Sequence, residues 1–489
     1  MSTLRGVPAA AWACAAVMLA NGLAWSLIVP PFEVPDENAH YAYVQQVAER
    51  GTLPRQLLPE GRLSPAEDTT LGAVGFYQVV GETHNPAPMS ELQQRTIEAV
   101  GRARLSTRGS GDALSATNNP PLYYALEAVP YKLASSGTVL DRLALMRALS
   151  ALIGAVTVLL IYLFLAELLP GRRWAWSAGA LVAAFQPLFG FMSGGVNNDD
   201  LLYLMAAGVL WALARAFRRG LTPVNGALVG GFLGVGLVTK LTLLGFVPAV
   251  ALGLMLTLRR AWLAERGRAL RGTAWAAGLT AIPVLTYVAL NHLVWNRGAL
   301  PGGIGGVATA PGATLKFNFR EELSHIWQLF LPPVGMRHQF AYLPLWRTWF
   351  KGFFGRFGWL DYGFPWWFYS VAVGVTVLVV LLAAGELARR RRALVPRLGE
   401  LAVYALALAG VCVEVGVESY REMIQTGGTG QFEQARYMLP MLGLYAAIAA
   451  LAVRFGGRRW GPAIGAALVV LALGHDLLAQ AITISRYYS

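Results

Sequence analysis

Only two cysteines, Cys14 and Cys412, occur in 489 residues. Neither a disulfide framework nor a zinc-ligand spacing can be built from them, and both fall in apolar runs where a thiol packs as a small hydrophobic residue. Charge is also scarce, at 14% of residues, and lysine is nearly absent: of 40 basic residues, Lys132, Lys240, Lys316 and Lys351 are the only lysines. No internal repeat, low-complexity tract or separate soluble domain is visible, so the chain reads as one unit over 1–489. These gaps exclude a disulfide-stapled secreted module, a repeat array and a nucleotide-binding domain on a soluble core.

Hydrophobic length is abundant instead. Residues of the apolar classes make up 55% of the chain and its mean hydropathy is +0.48, the composition of an integral membrane protein. Runs long enough to cross a bilayer predict about eleven spans, at 9–29, 143–169, 174–193, 199–217, 225–239, 241–257, 273–294, 367–388, 398–418, 436–453 and 461–481. The first run resembles a signal peptide in having Arg5 before it. Its length and the prolines after it predict an uncleaved span instead.

The net charge of +13 has a topological origin. Arginines cluster between runs, at Arg172-Arg173, Arg218-Arg219, Arg259-Arg260, Arg389 to Arg392 and Arg458-Arg459, as in cytoplasmic loops. The segment 30–142 instead carries thirteen acids and nine bases. That distribution predicts a cytoplasmic N-terminus and outward-facing segments at 30–142 and 295–366, and it argues against a nucleic-acid partner.

The first outward segment reads as short surface helices: one over 36–48, one begun by the Ser90 and Gln93 capping pattern and running to about Ala103, and one over Leu122–Leu133. Tyr123, Tyr124 and Tyr131 predict that the last lies at the membrane interface. The second outward segment is rich in tryptophan, with a Gly-rich stretch at 298–312 expected to be mobile.

Residues 35–40, Pro-Asp-Glu-Asn-Ala-His, put Asp36, Glu37 and His40 directly after the first span. Asp36 suits a helix N-cap equally well as a general base that takes a proton from a hydroxyl, and His40 falls on the same helical face. Asn197-Asn198-Asp199-Asp200 reads as a turn and cap, or as the polar lining of an outer cavity. Lys240 could snorkel or neutralise a lipid phosphate. Arg436 with Tyr437 could anchor the tenth span or grip a phosphate through two parallel hydrogen bonds. Asp361, after Phe357-Gly358-Trp359-Leu360, is either part of an aromatic belt or a further acid on the same face. Acids and phosphate-binding cations meeting at one leaflet point to a transferase acting on a lipid phosphate. A flippase or transporter of lipid-linked glycans shares these features, although charge concentrated at one face favours an enzyme. Two possible ligands, Asp36 and His40, do not make a metal site, so cofactor use and any divalent ion stay open.

The ordered motifs Pro35-Asp36-Glu37-Asn38-Ala39-His40, Asn119-Pro120-Pro121-Leu122-Tyr123-Tyr124, Asn197-Asn198-Asp199, Thr239-Lys240, Phe357-Gly358-Trp359 and Ala435-Arg436-Tyr437 with Pro440 resemble a bacterial family of multi-span membrane proteins. That family, formerly of unknown function, is similar to the C-type (GT-C) glycosyltransferases. The Asp-Glu pair is shared with protein mannosyltransferases and the aminoarabinose transferase of lipid A, while Ala435 stands where the narrower motif has glycine. The resemblance implies an all-α, GT-C-like polytopic protein of the bacterial inner membrane, with its site facing outward. It implies inverting transfer of a sugar from a polyprenyl-phosphate donor to an extracytoplasmic glycan or lipid-linked acceptor; a glycan polymerase using diphosphate-linked donors is the nearest enzymatic alternative. On that basis Asp36, with Glu37 and His40, is the catalytic group. Lys240, Arg436 and Tyr437 hold the donor phosphate, and Asn197, Asp199 and Asp361 line the substrate pocket.

Overall fold

The computed structural model describes residues 6–54, 63–81, 90–103, 105–108, 116–295, 317–332, 345–425 and 433–488. The protein is an all-α polytopic membrane protein. Nine helices are long and apolar enough to cross a bilayer among the described residues: Ala9–Ile28, Val139–Leu168, Asp199–Arg219, Leu241–Ala261, Arg266–Leu293, Trp366–Arg389, Arg391–Ile424, Ala435–Phe455 and Gly457–Tyr488. The expected span at 174–193 is broken into Arg173–Ala184 and Pro187–Ser193, bent by 63°. Pro187 explains the break, because it has no N–H to continue the ladder. Gln186 then caps the second piece, accepting from the Phe189 N–H at 2.7 Å. The expected 225–239 span is the shorter helix Pro223–Leu237.

Val139–Leu168 is the hub, packing on Ala9–Ile28, Asp199–Arg219, Arg173–Ala184 and the outer helix Leu122–Leu133. Asp199–Arg219 is central, with 78% of its apolar window buried, whereas Arg266–Leu293 lies at the edge with 11%. That edge helix is held by a stripe on Pro223–Leu237. A Cβ at Gly226, Gly230 or Gly234 would strike the carbonyl oxygens of Gly272, Ala276 and Leu279, so only glycine permits this backbone approach.

Of the surface helices, Glu37–Arg50, Glu91–Arg102 and Leu122–Leu133 form near the expected positions. Ser90 Oγ accepts from the Gln93 N–H at 3.1 Å, as the capping pattern requires. Pro65–Ala73 and Phe76–Gly81 are additional. In the second outward segment Phe319–Phe330 is helical, and Arg356–Phe357 pairs antiparallel with Tyr362–Gly363 around a turn at Leu360, φ 64°. The Gly-rich 298–312 lies outside the described residues.

The tyrosines of Leu122–Leu133 correct an expectation. Tyr123, Tyr124 and Tyr131 are buried within the protein, and the exposed face carries Leu126, Val129 and Leu133. Ring packing decides this: Tyr43 stacks on Tyr124 with centroids 3.6 Å apart, tying Glu37–Arg50 to this helix.

Candidate active site

After Ile28 the chain turns twice through left-handed backbone, at Phe32 (φ 68°) and Asp36 (φ 63°). Such a conformation costs a non-glycine residue about 1–2 kcal/mol, so surrounding contacts must hold it. At Asp36 they converge on the preceding carbonyl. Pro35 O accepts from Asn197 Nδ2 at 3.0 Å and from Arg436 Nη1 at 3.4 Å. Asp36 makes no side-chain cap to the helix that follows. Its carboxylate instead meets Arg436, with Oδ2 2.6 Å from Nη2.

That ion pair is one end of a chain of alternating charge. Arg436 Nε lies 3.8 Å from Asp199 Oδ2, and Asp199 Oδ1 is 2.5 Å from Lys240 Nζ. Tyr437 sits under both cations, its ring centroid 5.4 Å from Lys240 Nζ and 5.2 Å from Arg436 Cζ. Tyr203 Oη donates to the Arg436 carbonyl at 3.1 Å and fixes that turn. Asp199 and Arg436 are almost sealed, while the Asp36 side chain keeps 27% of its surface open and Lys240 keeps 19%. Arg436 Nε and Asp199 Oδ2 face one another without a hydrogen-bond partner among the described residues, a gap that a ligand hydroxyl, accepting from one and donating to the other, would satisfy.

Burial alone would raise the Asp36 carboxyl. The Arg436 guanidinium, with Lys240, overcomes it and holds the group below its ordinary value. Burial also dominates at His40, lowering it to about 4 despite the nearby Asp36 charge, so the imidazole is neutral at neutral pH. His40 Nδ1 pairs with Tyr124 Oη at 3.0 Å, which places it beside the cluster as a wall group.

Two of the anticipated residues stand apart. Glu37 is fully buried and gives both oxygens to Arg147, at 2.8 and 2.6 Å, while Oε1 also accepts from the Val196 N–H at 2.9 Å. Arg147 in turn donates to the carbonyls of Ser26, Val29 and Pro30, so this pair pins the first loop to the hub helix. Asp361 pairs with Arg486 at 2.5 Å and accepts from the Trp359 N–H at 3.0 Å, closing the hairpin turn onto the C-terminal helix. Asn197 acts on the Asp36 turn through its amide.

The sequence reading gave no site role to Arg147, Tyr203 or Glu127, and it named Tyr124 only as an interfacial and motif residue. Arg147 carried a readable signal, a lone cation inside an apolar run. Glu127 is fully buried, 3.3 Å from Ser150 Oγ, and burial raises its carboxyl well above the ordinary range. Among the described residues, no three His, Cys, Asp or Glu side chains gather as a metal-binding group.

Beside this cluster runs an apolar groove of about 670 Å³ between Trp366–Arg389, Ala435–Phe455 and Gly457–Tyr488. Trp349, Phe353, Val375, Leu442 and Ala472 line it, and it reaches Ala435, the residue before Arg436.

A family model described as "Predicted membrane protein (DUF2142)" matches residues 19–445. The chain belongs to this family. Comparison with curated protein sequences gives no match. Two solved structures from Archaeoglobus fulgidus are similar at 14% identity and a TM-score of 0.42. One is the oligosaccharyltransferase in the apo form, aligned over 98% of this chain; the other is the oligosaccharyltransferase AglB in complex with an inhibitory peptide and a dolichol-phosphate, aligned over 97%. The DUF2142 chain spans 56% of the length of each.

Proposed function

We propose that this DUF2142 protein is a GT-C-type glycosyltransferase that moves a sugar from a polyprenyl-phosphate donor to a glycan or lipid-linked acceptor outside the bacterial inner membrane. The observation that carries this reading is the junction of the charged chain Asp36–Arg436–Asp199–Lys240 with an apolar groove ending at Ala435. A polyprenyl phosphate is an apolar tail joined to an anion, and the junction offers a place for each part. The arginine-rich helix ends lie at the other side of the bundle, which supports an outward-facing site.

In the reaction, the acceptor oxygen forms a bond to the anomeric carbon as the bond to the phosphate oxygen breaks. The leaving electron pair goes to the phosphate, and the acceptor proton goes to Asp36. Attack opposite to departure inverts the anomeric centre. Arg436 and Lys240 stabilise the charge growing on the phosphate, and donors held in fixed positions do this without reorganisation. Asp36 and the donor phosphate share Arg436, so a phosphate that takes the guanidinium frees Asp36 to act as the base.

The test is release of polyprenyl phosphate from a panel of polyprenyl-phosphate sugars by protein in lipid, with a mixed glycan acceptor and with or without a chelator. Asp36→Asn is expected to retain donor binding and lose turnover by about a hundred- to ten-thousand-fold, the range of general-base contributions. Lipid-linked glycan crossing vesicles with no donor turned over would replace the enzyme with a transporter.

A further inference from the structure

At the end of the bundle away from Asp36, four arginines surround a second polar cavity. Arg172, Arg390, Arg454 and Arg458 line it together with Trp174 and the Pro170-Gly171 turn, and its volume is about 330 Å³. Arg436 and Arg454 lie on one span, Ala435–Phe455, eighteen residues apart, so this cavity is on the order of 27 Å from the catalytic cluster.

Arginines at helix ends ordinarily answer the exposed carbonyls of the last turn or sit in water. Arg390 and Arg458 are exposed and do meet water, but neither reason accounts for Arg454 and for the buried end of Arg172. The Phe455 carbonyl is taken by Arg389 at 2.8 Å, from outside the cavity. Arg454 is 7% exposed, yet its Nε has no hydrogen-bond partner among the described residues; Arg172 Nη1 is buried and equally unpartnered. Among the described residues, the one carboxylate paired with these arginines is Glu386, 2.5 Å from Arg390 Nε and 3.5 Å from Arg454 Nε. One carboxylate against four guanidiniums leaves the pocket strongly cationic, and buried donors without acceptors are costly unless a ligand supplies them.

We propose that this pocket binds a phosphoryl group, carried by an anionic phospholipid headgroup or as free phosphate. Planar guanidiniums match phosphate oxygens through paired hydrogen bonds, and a pocket between span ends places them at headgroup depth. The site is separate from the catalytic reading and does not depend on it.

Native mass spectrometry of protein released from vesicles of phosphatidylcholine and phosphatidylglycerol tests the lipid source. Titration of inorganic phosphate into delipidated protein, followed by melting temperature, tests the free ion. Arg172→Gln/Arg458→Gln is the decisive variant, because both side chains are at least partly exposed and the Glu386 pairs remain intact. Arg259→Gln/Arg266→Gln, which removes two exposed arginines elsewhere, is the control. One phosphatidylglycerol retained by the wild type and the control, and about tenfold less by the decisive variant, establishes a lipid headgroup site. Phosphate-dependent stabilisation lost in the same variant, without lipid preference, establishes a free-phosphate site. If neither probe separates wild type from that variant while its melting temperature is unchanged, the pocket is not a phosphoryl site.

Discussion

The two adjacent acids after the first helix divide their work according to exposure. Glu37 is sealed with both oxygens on Arg147, whereas Asp36 keeps 27% of its side chain open and touches the one guanidinium that also approaches Asp199. Removing one member of a buried pair strands the other, at a cost of about 3–5 kcal/mol. Glu37→Gln is therefore expected to lower the melting temperature strongly and to reduce activity only in proportion to the protein left folded. Asp36 is more open and Asp199 still faces Arg436 at 3.8 Å, so Asp36→Asn should cost less stability than Glu37→Gln. Melting curves of the two variants in lipid check the contrast; a stable but inactive Glu37→Gln protein would assign Glu37 to the chemistry.

At the scale of elements, the C-terminal helix is fastened to the Asp36 loop through the buried carboxyl of Glu33. Glu33 is 2% exposed and accepts from Tyr487 Oη at 3.3 Å. Burial raises its carboxyl to about 8, helped by Asp361 and Glu37 and opposed by the Tyr487 hydrogen bond and Arg486. The folded form thus keeps a proton that the unfolded chain releases from its ordinary value upward. Stability contributed here is full at low pH and is lost as pH rises toward about 8, at no more than about 1.4 kcal/mol per pH unit. The melting temperature should fall between about pH 6 and pH 8 and lose that slope in Glu33→Gln; an unchanged slope in the variant would place its origin elsewhere. Elements of this kind differ in how readable they are. The spans were legible because apolar length is a local property, and Leu122–Leu133 began and ended where its prolines and tyrosines indicated. The break at Gln186-Pro187 was written in the sequence but masked by the apolar residues on both sides. Topology brought Asp36, Asp199, Lys240 and Arg436 to one face in advance. Which carboxylate meets which cation was not legible, because Asp36 and Arg436 are 400 residues apart and packing alone chooses between Arg436 and Arg147 as partner.

Across the whole molecule, the groove and the charged chain make a single prediction about donor length. On the proposed function, a long prenyl tail lies between Trp366–Arg389, Ala435–Phe455 and Gly457–Tyr488 with its phosphate at Arg436, since the groove reaches the residue before that arginine. Ala472 lines the groove on the Gly457–Tyr488 helix, far in sequence from every charged residue of the cluster. Ala472→Phe adds a ring where tail carbons would run and leaves the ionic site untouched. Each CH₂ denied its apolar surroundings forfeits about 0.8 kcal/mol, so loss of two or three raises KM roughly tenfold or more for a long-chain donor. A water-soluble donor with a tail too short to enter the groove should show no change in KM, and kcat should stay the same for both. Equal effects on short and long donors would mean that the ring disturbs the phosphate site instead, and the tail would then run along another face of the bundle.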